Sequence, residues 1–178
     1  KAFAFMSSRE YIGKIVLSLS STKPRPIPQS EKLPLSENAT YLLTGGLGGF
    51  GLATANWFVR NGARNLVLTG RSGLNSDDAR AGVKTLENAG ANVMVASVDV
   101  ANRKDSEKLI RNILKTMPPL KGVVHCAMVL QDEAFQRMTA QQMVEVLRPK
   151  VHGAWNLHQL TERINLDFFV LYSSISSH

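Results

Sequence analysis

The chain has 178 residues, of which 44% are hydrophobic and 20% are charged, and this length is sufficient for one α/β core. Its single cysteine, Cys126, excludes an intramolecular disulfide and is typical of a reducing, cytoplasmic setting. No run approaches transmembrane length, the N-terminus has no signal-peptide pattern, and no group of His, Cys and acidic residues has metal-ligand spacing. We therefore expect no membrane span and no metal.

The formal net charge of +7 raises the possibility of nucleic-acid binding. The basic side chains are scattered along the chain, however, and no stripe of them is interleaved with aromatic residues. A solvated basic surface is therefore the preferred interpretation, and we expect no nucleic-acid partner. A phosphate-bearing cofactor or an acidic protein partner would also use such a surface.

The first 20 residues do not have the pattern of a domain start. Residues 2–10 resemble the end of a helix and residues 12–19 resemble a strand, after which the proline-spaced stretch Lys23–Pro28 indicates an extended linker. We predict the tail of a preceding domain over residues 1–20, a linker over 21–38, and a second domain over 39–178.

Strand and helix signals alternate from residue 39 onward. The predicted strands are Tyr41–Thr44, Asn65–Thr69, Asn92–Ser97, Gly122–Ala127 and Asp167–Tyr172. The predicted helices are Gly49–Asn61, Asp77–Ala89 with Asp77 as its cap, Lys104–Thr116, and a stretch from Ala140 to Arg163 that Pro149 interrupts. This alternation predicts an α/β fold with a Rossmann-type, doubly wound parallel sheet that is truncated after the fifth strand. The ligand crevice of such a sheet lies at the carboxyl ends of its strands.

A glycine-rich run links the first predicted strand to the first helix. It consists of Thr44, Gly45, Gly46, Leu47, Gly48, Gly49, Phe50 and Gly51. Two overlapping patterns fit it: GxGxxG, and the TGxxxGxG of short-chain dehydrogenases/reductases. Strand, glycine loop and helix is the arrangement that holds a dinucleotide pyrophosphate at a helix N-terminus. The alternative is a glycine-rich turn that binds no ligand.

The second predicted strand ends in Gly70-Arg71-Ser72, 20 residues beyond Gly51 (71 − 51 = 20). NAD enzymes commonly have an acidic residue here, which accepts hydrogen bonds from the ribose 2′-hydroxyl, whereas an arginine suits a 2′-phosphate. Arg71, with Ser72 beside it, therefore favours NADPH as the cofactor. The alternative is a solvated arginine at a strand end.

Polar residues also follow later strands. Asp99-Val100 follows the third strand, where short-chain reductases contact adenine, and Asp99 could equally stabilise a turn and cap the next helix. Ser173-Ser174 follows the fifth strand, where a hydroxyl could donate to a substrate carbonyl. Lys150, just after Pro149, could point at the nicotinamide ribose. The alternatives are an exposed helical lysine and serines that cap a following element.

Several ordered motifs together resemble the ketoreductase domain of type I polyketide synthases and animal-type fatty acid synthases, a branch of the short-chain dehydrogenases/reductases. They are YLLTGGLGGFG, LVLTGRSG, the Asp-Val pair after the third strand, GVVHCAMVLQD, RPKVHGAWNL and FFVLYSSIS. The resemblance implies that Lys150 binds the cofactor ribose and activates a catalytic tyrosine, and that Ser174 binds the substrate carbonyl. It places Ala127, Met128 and Ser173 beside the cofactor as well.

The resemblance also implies a catalytic tyrosine and asparagine about a dozen residues after Ser174, and the chain ends four residues after it (178 − 174 = 4). The tyrosines present, Tyr11, Tyr41 and Tyr172, are wrongly placed for that role, and Tyr172 is predicted to pack. We therefore expect residues 1–178 alone to be inactive, because the general acid is missing.

Two positions depart from the family pattern. Met128 stands where many members have glycine, which leaves the local backbone open. Asp132 matches only the last position of the LDD motif of bacterial reductases that give D-hydroxy products, and the alternative is a cap for a helix beginning near Glu133. The LDD match would imply the same stereochemistry here.

Residues 1–19 resemble the end of the enoylreductase domain that precedes the ketoreductase in fully reducing modules. The resemblance therefore implies NADPH-dependent reduction of a β-ketoacyl chain on an acyl carrier protein, within a multidomain, homodimeric synthase that also contains an enoylreductase. The alternative function is a non-catalytic, dinucleotide-binding or structural pseudo-reductase domain, which the sequence beyond His178 would distinguish.

Overall fold

The computed structural model describes residues 35–174. The predicted domain tail and all but the last residues of the predicted linker lie outside this range. No helix within residues 35–174 is both long enough and apolar enough to cross a membrane.

Five parallel strands form one sheet in the order β3-β2-β1-β4-β5. Their bounds are β1 Thr40–Thr44, β2 Asn65–Gly70, β3 Asn92–Ser97, β4 Leu120–His125 and β5 Phe168–Leu171. The order reverses at β1, since the chain adds β2 and β3 on one side of it and β4 and β5 on the other. This reversal confirms the predicted doubly wound fold and creates a crevice at the carboxyl ends of β1 and β4.

Helices connect consecutive strands. They are α1 Gly49–Arg60, α2 Asp77–Asn88, α3 Arg103–Thr116, α4 Ala140–Arg148 and α5 Ala154–Thr161, with a π-helical turn, Pro149–Gly153, between the last two. The predicted interruption at Pro149 is confirmed. Proline has no backbone N–H to donate and its ring crowds the preceding turn, so a regular α-helix cannot continue through it.

Side chains alternate between two cores, one on each face of the sheet. Leu43, Leu68 and Val124 pack with α1 and α2 on one face. Leu42 and Val123 pack with α3 and α5 on the other. Because both faces are covered, the central strands are apolar along nearly their whole length, as expected of a parallel sheet.

The prediction of Asp77 as a helix cap is wrong. Ser76 caps α2: its backbone is extended, and its hydroxyl accepts a hydrogen bond from the Ala79 amide at 3.2 Å. Asp77 lies one residue further on, inside the first turn, where it pairs with Arg80 at 2.7 Å. A carboxylate in that position still interacts favourably with the helix dipole, but a residue with helical backbone cannot be the cap.

Candidate functional site

A cleft of about 870 Å³ opens at the carboxyl ends of β1, β2, β3 and β4. It brings together ten of the residues predicted from the sequence: Gly45, Gly48, Gly49, Phe50, Gly51, Arg71, Asp99, Val100, Ala127 and Met128. Other predicted residues lie nearby without lining it: Thr44, Gly46, Leu47, Ser72, Lys150, Ser173 and Ser174.

The glycine loop contains two kinds of glycine. At Gly45, φ is +67° and an added Cβ would lie 2.7 Å from the Ala127 backbone; at Gly51, it would lie 2.4 Å from the Gly45 carbonyl oxygen. Protein packing alone therefore requires these two glycines. At Gly49 an added Cβ would meet nothing within 4 Å, and at Gly48 only the Gly45 oxygen at 3.6 Å. Both face the cleft, so this part of the loop leaves room for a ligand to approach the backbone, which fits a dinucleotide phosphate.

Arg71 lies exposed at the end of β2 and lines the cleft, whereas Ser72 is exposed outside it. Glu145, from α4, lines the same cleft. Hydrogen bonds from Gln141 and then Gln131, together with the positive charge of Arg71, hold the pKa of Glu145 below its usual range. A carboxylate therefore shares the cleft with the arginine that is predicted to bind a 2′-phosphate.

Asp99 stabilises a turn and does not cap α3. One carboxylate oxygen accepts from the Ala101 amide at 3.0 Å, and the other accepts from Arg148 at 2.9 Å. The cap of α3 is Asn102, whose side chain accepts from the amide of Lys104 at 3.0 Å. The turn expected at Asp99 is therefore present, the expected cap is wrong, and the carboxylate lies in the cleft.

Lys150 lies in the π-helical turn and reaches toward β5. Its Nζ donates to the Tyr172 carbonyl oxygen at 2.8 Å, and burial lowers the pKa of its ammonium group. Ser173 and Ser174 follow Tyr172 directly and are exposed. The lysine and the serine pair are therefore neighbours in space as well as parts of one predicted constellation.

The two tyrosines of the described chain are both engaged away from the cleft. Tyr41 is fully buried in β1, and its hydroxyl accepts from the Ser36 amide at 2.6 Å. The Tyr172 ring packs on the core beneath α1, and its hydroxyl bonds to that of Thr54 at 2.7 Å. Neither is placed as a proton donor to a ligand in the cleft.

The loop after β4 contains Met128, which lines the cleft with 48% of its surface exposed. Asp132 is exposed and does not line it. No helix begins near Glu133 in the described chain: residues 126–139 form loop and turns until α4 begins, so Asp132 caps nothing. Thr139 supplies the cap of α4, in a reciprocal capping box with Gln142.

Cys126 packs in the interior of the domain. It is buried against the α1–α2 core, and burial raises the pKa of its thiol to about 11, so it stays protonated. Within the described residues there is no group of His, Cys and acidic side chains that could hold a metal ion.

Three charged or titratable residues of this region were not predicted from the sequence: His125, Glu145 and Arg148. Arg148 and Glu145 line the cleft, and His125 lies buried beneath it. A histidine inside an otherwise apolar strand was the one available signal for His125. The two helical residues look like ordinary surface charges, because only the three-dimensional path of α4 over the strand ends brings them to the cleft.

The fold and cleft define a doubly wound dinucleotide-binding domain, and comparison with known proteins shows its family. The family model for the KR domain matches residues 39–178. Together with the relatives and structures below, this match shows that the chain belongs to the ketoreductase domain family of polyketide synthases.

Curated relatives cover almost the whole chain. It is 39% identical over 179 residues to a highly reducing polyketide synthase of Talaromyces stipitatus and 42% identical over 182 residues to one of Aspergillus terreus. Both alignments cover 99% of this chain but only 7% of the relative. The chain thus spans a small part of the multidomain proteins that it matches.

Solved structures confirm the fold. A ketoreductase domain from the bacillaene assembly line superposes with a TM-score of 0.79 at 31% identity, covering 85% of this chain and 36% of that one. An N-terminal ketoreductase from the macrolactin assembly line gives 0.76 at 34% identity, with coverages of 85% and 30%.

Proposed function

We propose that this chain contributes to the NADPH-dependent reduction of a β-ketoacyl group to the β-hydroxyacyl form. The observation that carries the proposal is the cleft itself. A glycine loop with two open positions, Gly48 and Gly49, forms one wall, and Lys150 is held beside Ser173-Ser174 at the end of β5.

The cofactor assignment rests on Arg71. Its guanidinium is exposed at the end of β2, on the cleft, where a 2′-phosphate would gain charge-assisted hydrogen bonds. The glycine loop would bind the pyrophosphate, with Thr44, Gly46 and Leu47 shaping it from below. Asp99 and Val100 would contact the adenine end, and Ala127, Met128 and Ser173 the nicotinamide end. NADPH would supply the hydride.

Lys150 and Ser174 are the proposed catalytic residues. The serine hydroxyl would donate to the substrate carbonyl and stabilise charge on its oxygen. The lysine would bind the nicotinamide ribose, and its positive charge would lower the pKa of a tyrosine general acid. Since Tyr41 and Tyr172 are engaged elsewhere, we propose that this acid is supplied from outside residues 1–178.

The relatives are multidomain synthases, and this supports the proposed partners. We propose that the substrate arrives on an acyl carrier protein, that an enoylreductase-like domain precedes residue 21, and that the parent protein is a cytoplasmic homodimer. We also propose a D-hydroxy product, from the match of Asp132 to the last position of the LDD motif. Asp132 is exposed and lies outside the cleft lining.

The test is reduction of a β-ketoacyl thioester by the full-length protein, with NADPH or NADH, and with Lys150→Gln as the matched variant. We expect reduction with NADPH, weaker reduction with NADH, and a loss of roughly 10² to 10⁴ in kcat for the variant. Residues 1–178 alone should bind NADPH without turnover. NADPH binding with no reduction by the full-length protein would instead support the non-catalytic alternative.

A further inference from the structure

His125 is a buried polar residue at the end of β4 for which the proposed chemistry has no use. Only 1% of its surface is exposed, and both ring nitrogens are engaged. Nδ1 lies 2.6 Å from the Thr44 hydroxyl and Nε2 lies 3.0 Å from the Pro149 carbonyl oxygen. A polar group buried to this extent normally has a structural or functional reason, because burial is costly unless both its ends are satisfied.

The two partners determine where the proton of the neutral imidazole resides. A carbonyl oxygen can only accept, so Nε2 carries the hydrogen and donates it to Pro149. Nδ1 is then unprotonated and accepts from the Thr44 hydroxyl. Burial is the largest influence on the pKa of His125 and lowers it; the bond to Pro149 acts in the opposite direction, and the Lys150 charge adds to the lowering.

These two hydrogen bonds connect the two parts of the proposed site, the glycine loop and the π-helical turn that contains Lys150. Thr44 is the last residue of β1 and directly precedes Gly45, the first glycine of the loop. Pro149 opens the π-helical turn and directly precedes Lys150. The turn also fits closely against the imidazole, since a Cβ added to Gly153 would lie 3.3 Å from His125 Cε1.

We propose that His125 is a positioning residue, which holds the π-helical turn, and with it Lys150, at a fixed place relative to the glycine loop. The bond from Lys150 to the Tyr172 carbonyl constrains the far end of the lysine, whereas the histidine constrains its backbone. This inference rests on the proposed function for its kinetic consequence. Its structural content, the placement of Lys150, can be measured without turnover.

Two substitutions distinguish the hydrogen bond at Nδ1 of His125 from the hydrogen bond at Nε2. His125→Asn keeps a polar group near Thr44 but cannot reach Pro149, whereas His125→Gln extends an N–H to about the position of Nε2. In the full-length protein we expect His125→Asn to lower kcat at least about tenfold with a KM for NADPH within about threefold of wild type, because small misplacements near the reacting atoms are costly. His125→Gln should recover most of the lost kcat. Two results would overturn the proposal: an equal fall in kcat for both variants, or a fall in kcat that is accompanied by a comparable rise in the KM for NADPH.

A labelling experiment reads the placement of Lys150 directly. Acetylation of the full-length protein with an amine-reactive ester, followed by peptide mass spectrometry, gives the rate at Lys150 relative to the exposed Lys108. We expect this ratio to rise about fivefold in His125→Asn, the factor that losing one hydrogen bond implies, and to stay near wild type in His125→Gln. If the wild-type protein reduces no β-ketoacyl thioester, the proposed function is wrong. The ratio of labelling at Lys150 to labelling at Lys108 still tests the role of His125 in that case.

Thr44→Val tests the same link from its other end, should His125→Asn not accumulate as folded protein. It removes the hydroxyl partner of Nδ1 with little change in volume. Its control is Thr69→Val: Thr69 pairs in register with Thr44, is equally buried, and its hydroxyl has no hydrogen-bond partner among the described residues. We expect faster Lys150 labelling in Thr44→Val and no change in Thr69→Val. Unchanged labelling in both would overturn the proposal.

Discussion

The carboxyl ends of β1 and β5 both belong to the proposed site, but the fold holds them in different ways. β1 lies between β2 and β4, and all five of its residues are buried. β5 pairs with β4 alone among the described strands, and its last two residues, Val170 and Leu171, are 39% and 51% exposed. At β1 the ligand geometry is therefore set by tightly packed backbone. At β5 it depends on a few side-chain contacts, such as that of Lys150 with the Tyr172 carbonyl.

The largest expected effect separates the two kinds of glycine after β1. Gly51→Ala should destabilise the domain and abolish NADPH binding, because its Cβ would overlap the Gly45 oxygen.

Gly49→Ala should leave the stability of the domain equal or higher, since its Cβ would have no atom within 4 Å and alanine favours the helix start. It should still weaken NADPH binding by about tenfold or more, a change of about 1.4 kcal/mol, by blocking phosphate approach. Fluorescence titration with NADPH and hydrogen exchange of β1 peptides check both. Tight binding by Gly49→Ala would contradict the proposed phosphate site.

The next effect concerns cofactor choice at the end of β2. Arg71→Gln should raise the Kd for NADPH about 10- to 30-fold, because a charge-assisted contact with the 2′-phosphate is lost. NADH, which lacks that phosphate, is the control and should bind as before. Added salt should shrink the difference between the two proteins, since Arg71 is exposed. Equal weakening for both cofactors would place Arg71 elsewhere than at the 2′-phosphate.

The sequence predicts the β1 end better than the β5 end, and the reason is physical. Buried strands and glycine turns are determined by the residues of a short stretch of sequence. All five strands, the glycine loop and the break at Pro149 are therefore predicted to within about two residues. The wrong predictions were caps and the helix expected near Glu133, where the chain forms loop and turns. Ser76 and Asn102 each lie close to the predicted cap, and only the backbone conformation decides between such neighbours.

Contacts between distant segments were not predictable in the same way. His125 meets Thr44 across 81 residues, and Arg148 meets Asp99 across 49. Neither pair has a motif. The first depends on β1 and β4 being neighbours in register, and the second on how α4 lies over the strand ends. The sequence therefore indicated the residue types of the site, while the fold was needed to show which polar groups hold them in place.

The third prediction compares the hydroxyls of Thr44 and Thr69, which are paired in register across β1 and β2. Thr44→Val should lower the free energy of local opening by about 1–3 kcal/mol, because the His125 Nδ1 is left buried without a donor. Thr69→Val should be neutral or stabilising, since it removes a hydroxyl with no partner among the described residues. Hydrogen exchange of peptides from β1, β2 and β4 measures both. A larger loss in Thr69→Val would mean that its hydroxyl has a partner, such as ordered water.

The smallest expected effect concerns the carboxylate that shares the cleft with Arg71. Glu145→Gln should tighten NADPH binding about two- to threefold at low salt, because it removes a negative charge near the proposed 2′-phosphate and frees Arg71 from a competing attraction. NADH again serves as the control and should change less. The hydrogen bonds from Gln141 and Gln131 keep the pKa of Glu145 low, so the wild-type carboxylate stays ionised as the pH falls from neutral into the ordinary glutamate range. The advantage of the variant should therefore be full from pH 8 to 7, should shrink near pH 6 as the 2′-phosphate itself takes up a proton, and should vanish only in more acidic solution, where Glu145 is protonated. No advantage at pH 7 to 8 would mean that this carboxylate does not oppose the phosphate.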